Sequence, residues 1–217
     1  MLIMSITRKL LLAALVAAAS SSASAAITLS ASAGLSSAQA GATTITFDDG
    51  LLPTGFASYD ATPGALIAYP GNSGYAALPP ADTSPYFFSV GQTHGQPGTS
   101  GVSFGGNGVS YFGYYMGSPD NYNVVTLYHG NTVLGTYTGS DMAAAASHMA
   151  NGNQGVGFFV NYQASGGDTI TRVTFSSSAD AFETDNHAYI AAVPEPETYA
   201  MLLAGLGAIA FLRRRKA

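Results

Sequence analysis

The sequence predicts an all-β fold, a jelly-roll-like β-sandwich, and three observations predict it. Short runs with alternating apolar residues recur through the chain, separated by clusters of Gly, Pro, Asn and Asp, the pattern of strands joined by tight turns. Charged residues make up only 9% of the chain while it holds 13 Tyr and 11 Phe, a composition suited to half-buried pleated surfaces. There is no cysteine, so no disulfide staples the fold and a core must suffice; about 150 residues are enough to build one.

The elements follow in order. Met1 to Ala25 has a basic start (Arg8, Lys9), an apolar stretch from Leu10 to Ala19 and a small-residue exit in which Ala23-Ser24-Ala25 fits a cleavage site. This reads as an N-terminal signal helix of a secretory signal peptide, 1–25, cleaved after Ala25; its apolar stretch is too short to span a bilayer core of roughly 30 Å. Residues 26–42 are rich in Ala and Ser and read as a flexible lead-in, or as the fringe of a first strand at "AITLSAS". The sandwich domain is expected over 43–192. "TTITFDD", "ALIAYP", "YFFSVG", "GVSFGG", "VSYFGYYMG", "NVVTLYHG", "TVLGTYTG", "VGFFVNYQ", "TITRVTFSS" and "AFETDNHAYIAAV" are its strand candidates. His129-Gly130-Asn131 reads as a hairpin loop. "DMAAAASHMA", Asp141 to Ala150, is the one helix-like body segment, with Asp141 as its cap.

Charge is distributed unevenly. Arg8 and Lys9 lie in the signal and Arg213, Arg214, Arg215 and Lys216 at the C-terminal end, so Arg172 is the one basic residue between Ala26 and Val193, against ten acidic residues. Such a surface repels phosphate backbones, and nucleic acid is not a partner expected of it.

The end of the chain has three parts. Pro194-Glu195-Pro196 lies in an extended segment without backbone donors at the prolines. Tyr199 to Leu212 is apolar and predicts a single hydrophobic helix, only about 21 Å long at 1.5 Å per residue and so a short transmembrane segment. Arg213 to Lys216 then acts as a membrane stop that keeps the C-terminus in the cytoplasm and the body outside. Together, "PEPETYAMLLAGLGAIAFLRRRKA" resembles the PEP-CTERM sorting signal of exported bacterial proteins. The resemblance covers residues 193–217 and implies a partner, a membrane-embedded cysteine transpeptidase called an exosortase, which cuts near the motif. It also implies a Gram-negative-type bacterium that makes exopolysaccharide, and a destination at the cell surface or in the extracellular matrix or biofilm after transient membrane anchoring. Tyr111 to Asp141 and Ala181 to Ala192 are similar to segments of exosortase-dependent surface proteins, with Met116 where those often have Trp; this resemblance implies placement and no reaction.

Candidate chemistry in the body is sparse. Asp48 and Asp49 near the first strand of the domain, and Asp185 and Asn186 near the last, are oxygen donors that would converge on a structural Ca²⁺ if those strands are neighbours; the alternative is that each is a turn residue. The four histidines lack zinc spacing, and "GNSGY" and "GTSGV" read as glycine turns rather than nucleophile elbows. Tyr111, Tyr114, Tyr115 and Tyr122 crowd one hairpin. Alternation puts Tyr111 and Tyr115 on one face and Phe112 and Tyr114 on the other; the outer set forms a sugar-stacking platform unless that face is also covered. The expected function is therefore that of an exported, non-catalytic surface or matrix protein with polysaccharide as a candidate ligand. The alternatives are a secreted glycan hydrolase using acids such as Asp49, Asp120 and Asp185, and a self-associating structural protein.

Overall fold

The computed structural model describes residues 26–61, 66–68, 76–91, 96–193, 202–207, 209 and 214. The signal peptide expected at 1–25, the Pro194-Glu195-Pro196 motif and Arg213, Arg215 and Lys216 lie outside them. Residues 202–207, 209 and 214 are helical, and the rest of the helix expected over 199–212 lies outside the described residues. Among the described residues no helix is long and apolar enough to cross a membrane.

Twelve strands are present among the described residues: β1 (Ala26–Ser32), β2 (Thr43–Ile45), β3 (Ala57–Tyr59), β4 (Leu66–Ala68), β5 (Tyr86–Val90), β6 (Gly98–Phe104), β7 (Val109–Gly117), β8 (Asn123–His129), β9 (Thr132–Thr138), β10 (Gly157–Ser165), β11 (Arg172–Ser177) and β12 (Phe182–Ala191). All pair antiparallel. One sheet runs β1-β10-β7-β12-β5-β4, with β2 also on β12, and the other runs β3-β6-β11-β8-β9. From β5 onward the chain crosses between the sheets at each step except the β8–β9 hairpin. The resulting four-strand cores, β5-β12-β7-β10 and β6-β11-β8-β9, have the wiring of a jelly roll.

β1 corrects the domain boundary. Ala26–Ser32 pairs along its whole length with β10, so residues ahead of Thr43 are part of the sandwich and the lead-in expected for 26–42 begins with a strand, as the alternative reading of "AITLSAS" has it. Its patterning is weak because it lies at a sheet edge and is built from small residues.

Alternation sorts side chains as expected in β7. Phe112, Tyr114 and Met116 enter the inter-sheet core with Phe88, Val102, Val125, Leu127, Val173 and Phe175. Tyr111 and Tyr115 point to the outer face, with Phe159 and Ala188. A single helix among the described body residues, α1 (Gly139–Ala145), follows β9. Thr138 caps it: its hydroxyl accepts from the Asp141 N–H, while the Asp141 carboxylate accepts from the Thr138 N–H at 2.7 Å. Asp141 is thus the third residue of a capping box rather than the cap, and the helix stops at Ala145, short of Ala150. It buries Met142, whose thioether accepts the Tyr114 and Tyr162 hydroxyls at 2.8 and 3.1 Å. These phenols reach into the core and would otherwise strand a polar atom there.

One irregularity sets the centre of the core. Along β12, Phe182 and Thr184 face inward, then Asn186 adopts φ +51° and the pairing with β7 slips between Asp185 and Ala188. The extra residue is a β-bulge, and after it the inward parity changes, so His187 turns into the core. Its ring lies 5.1 Å from Phe175, nearly parallel, and edge-on to Phe47, Phe88 and Phe112 at 5.0–5.7 Å. Both nitrogens are satisfied, Nδ1 with the Tyr59 hydroxyl and Nε2 with the Thr184 hydroxyl, each at 2.8 Å. Burial pushes this imidazole down to about 3, so the folded protein holds it neutral.

Candidate functional site

The tyrosines named as a platform do not form one. Tyr111 and Tyr114 are fully buried and Tyr115 is 4% exposed. Tyr114 lies between the sheets. The outer face carrying Tyr111 and Tyr115 is covered, though by chain segments rather than by another sheet. Leu35 and Ala42 pack on one part, where the Ser37 hydroxyl meets the Tyr111 hydroxyl at 2.7 Å. On the other part the Tyr115 hydroxyl donates to the Pro80 carbonyl at 2.6 Å. Tyr122 is half-buried and donates to the Asp180 carbonyl. Tyrosines whose hydroxyls are committed to covering segments present no flat ring face to a sugar.

The proposed Ca²⁺ ligands do not converge. β2 and β12 are neighbours, pairing Ile45 with His187, as the reading required. Phe47 then takes φ +58° and turns its ring into the core, leaving Asp48 and Asp49 on an exposed turn where Asp49 accepts the Leu51 N–H at 3.0 Å. Asp185 is fully buried on the outer face of β12, and its Oδ1 accepts the Asn186 N–H at 2.6 Å. Among the described residues no group of three or more His, Asp or Glu side chains is placed to hold a metal ion.

What the outer face does hold is a row of buried carboxyls. Asp82 and Asp185 approach within hydrogen-bonding reach, yet the Oδ2 atoms of both are buried without a donor. Burial, with the neighbouring Asp82 adding to it, pushes Asp185 up to about 8. Two residues earlier, Glu183 is 4% exposed. Its Oε1 accepts the Ala77 N–H at 3.1 Å and its Oε2 is buried without a partner; burial pushes it up to about 7.

Glu183 lines a cavity of about 240 Å³ together with Ser118, Asp120, Tyr122, Gln154 and Asp180. The turn after β7 positions Asp120. Its carbonyl accepts the Asn123 N–H at 3.2 Å, and it bridges to Asn151. Two glycines make room for it: a Cβ on Gly139 would collide with the Asp120 carbonyl oxygen, and one on Gly152, at φ +69°, would lie 2.6 Å from Asp120 Oδ1. Burial also raises the Asp120 carboxyl. The cleft is therefore acidic, narrow and preformed, and burial biases two of its three acidic side chains, Asp120 and Glu183, toward the neutral state.

The acids set the pH dependence of stability. Glu183 and Asp185 hold protons in the folded protein that the unfolded chain releases near pH 4, so their contribution is complete below that and is lost as pH rises toward 7 and 8. His187 acts oppositely: the unfolded chain binds its proton near pH 6.5 and the folded one only near 3, so stability falls as pH drops through that range. Two acids outweigh one imidazole between about pH 4.5 and 6.5. Thermal melts should thus peak near pH 4 to 4.5 and decline toward pH 8. Glu183→Gln should raise the melting temperature at pH 8 and change it little at pH 4.5; equal effects at both would contradict the buried-acid origin.

Asp82 and the joining of Asp120 with Glu183 in one cleft lay beyond sequence reasoning, in which Glu183 is an acid beside Asp185 and Asn186 near the last strand and Asp120 a separate candidate. The one signal was that Glu183 is the body's lone glutamate, next to Thr184 and Asp185 in a strand whose other residues are mostly apolar.

The PEP-CTERM protein-sorting motif family matches residues 192–216. No curated protein matches the chain. The matched motif follows directly on β12, where the Ala192 N–H still bonds the Gly108 carbonyl at 2.9 Å. It marks an exported protein, anchored at the membrane by its C-terminal tail before processing and recognised by an exosortase.

Proposed function

We propose that this chain is a non-catalytic surface or matrix protein of a polysaccharide-producing bacterium, delivered by its sorting tail, and that its jelly-roll body holds extracellular polysaccharide. The sorting motif carries the reading: a rigid sandwich ends at Ala191 and the exosortase signal begins at once, so the body is the cargo that the tail delivers. The body's composition supports it. With Arg172 paired to Asp60 at 2.6 Å, the remaining acidic residues face no basic partner within Ala26 to Val193, which keeps an exported module soluble and away from anionic polymers such as nucleic acid. The test is fractionation of cells with and without the exosortase, together with co-sedimentation of the released protein with the exopolysaccharide of the same strain. Release that needs the exosortase, followed by co-sedimentation, supports the proposal; protein that stays free of the polymer counts against the polysaccharide part.

The Asp120–Glu183 cleft favours a second reading, a glycan hydrolase, since two carboxyls with displaced protonation are the equipment of acid–base glycoside cleavage. Release of new reducing ends from the polymer by the purified protein, abolished in Glu183→Gln, would establish that reading over the first.

A further inference from the structure

The geometry points to the Asp120–Glu183 cleft as the binding site for a single sugar residue, held through its hydroxyl groups; this rests on the polysaccharide reading above and names its site. The polar inventory of the cleft leans toward acceptors: three acidic residues, Asp120, Asp180 and Glu183, line it beside the Ser118 hydroxyl and the Gln154 amide. Glu183 Oε2 is buried in it without a donor, Asp120 adds a second carboxyl, and the Tyr122 hydroxyl has spent its proton on the Asp180 carbonyl. No Lys, Arg or His lines the cavity. An orphaned buried acceptor costs about 1–3 kcal/mol, and a ligand that brings donors recovers it.

The kind of donor follows from the surroundings. A hard divalent cation takes six to eight oxygens; Asp120, Asp180 and Glu183 all line the cavity, but among the described residues no such group is placed to hold a metal ion. A hydroxyl donates to a carboxylate and accepts from a carboxylic acid, so it pairs with Glu183 in either state. Recognition runs through hydrogen bonds rather than stacking, because Tyr122 is the one aromatic residue in the lining. Size narrows the ligand further: about 240 Å³ falls below the roughly 300–1,000 Å³ of sites for larger ligands. That suits a chain end or a branch residue better than an internal stretch of polymer. The site is built before the ligand arrives, since Asp120 is fixed by its backbone bonds and the Gly152 N–H bonds the Pro119 carbonyl at 2.9 Å.

The experiment is a titration of the mature protein, purified from the exporting cell, by saturation-transfer NMR and calorimetry. The probes are glucose, galactose, mannose and N-acetylglucosamine, the strain's exopolysaccharide, and CaCl₂ alone. Saturable binding of at least one sugar and of the polymer is expected, weakened tenfold or more in both Glu183→Gln and Asp120→Asn, with melting curves showing that each variant is folded. Polymer binding that survives both substitutions overturns the cleft and leaves the polysaccharide reading standing. A sugar bound at the cleft without polymer binding supports the site and removes the matrix reading. Binding of neither removes both. A Ca²⁺ response lost in Glu183→Gln, without any sugar response, makes the cleft a cation site and overturns the inference.

Discussion

Phe175→Ala is expected to lower the unfolding free energy by about 3–5 kcal/mol, the usual cost of emptying an aromatic core position. Phe175 is fully buried on β11, the central strand of the smaller sheet. Its ring meets Phe88, Phe112, Tyr114 and Phe182 from across the sandwich at 5.2–6.2 Å, and lies against His187. Among the ring contacts of the described residues, no other strand residue reaches so many rings of the facing sheet, so the truncation removes contacts across the whole middle of the sandwich. At roughly 2–4 °C per kcal/mol for a chain of this size, the melting temperature should fall by about 6–20 °C, read by circular dichroism. A second effect separates packing from general fragility: the hole lies beside His187, so water reaching the imidazole should bring its folded pKa back toward the ordinary value, and the variant should lose less stability than the parent as pH drops from about 6.5 to 3. A loss below about 1 kcal/mol would show that the two sheets do not pack through this ring.

Removal of Arg213 to Lys216 is expected to abolish surface delivery of most of the protein. The four residues hold four of the chain's seven positive charges, and a short apolar segment has little else to fix its orientation. Because the orientation bias counts Lys and Arg alike, a four-lysine replacement should restore delivery, whereas a four-glutamate replacement should not. Immunodetection on intact cells, with total protein measured alongside, checks this. Unchanged surface signal after the deletion would mean that the basic end plays no part in holding the tail for its exosortase.

Legibility followed the range of the interactions. The sorting tail was readable because it is a linear signal, recognised by a partner as consecutive residues, and the family match falls on the same span. The strands of the body were readable because period-two alternation is local; it separated Tyr111 and Tyr115 from Phe112 and Tyr114 correctly. The hairpin at Gly130, at φ +55°, announced itself by its turn residues. Alternation failed where the backbone breaks its own period. The bulge at Asn186 places His187 in the core and Asp185 outside it, and nothing in "ETDNHA" states that parity. The covering of the outer face was also hidden, since Leu35, Ala42 and Pro80 reach it from far along the chain. The cleft combined both difficulties: Asp120 comes from a turn and Glu183 from a strand more than sixty residues later, joined only by the jelly-roll wiring.

The measurement that bears most directly on delivery by the tail is intact-mass spectrometry of the protein recovered from the surface or matrix of exosortase-bearing cells. The expected product begins near Ala26, ends near the Pro194-Glu195-Pro196 motif and lacks Arg213 to Lys216. A recovered chain that still carries those four residues would contradict sorting by cleavage and leave the sandwich an ordinary membrane-tethered domain.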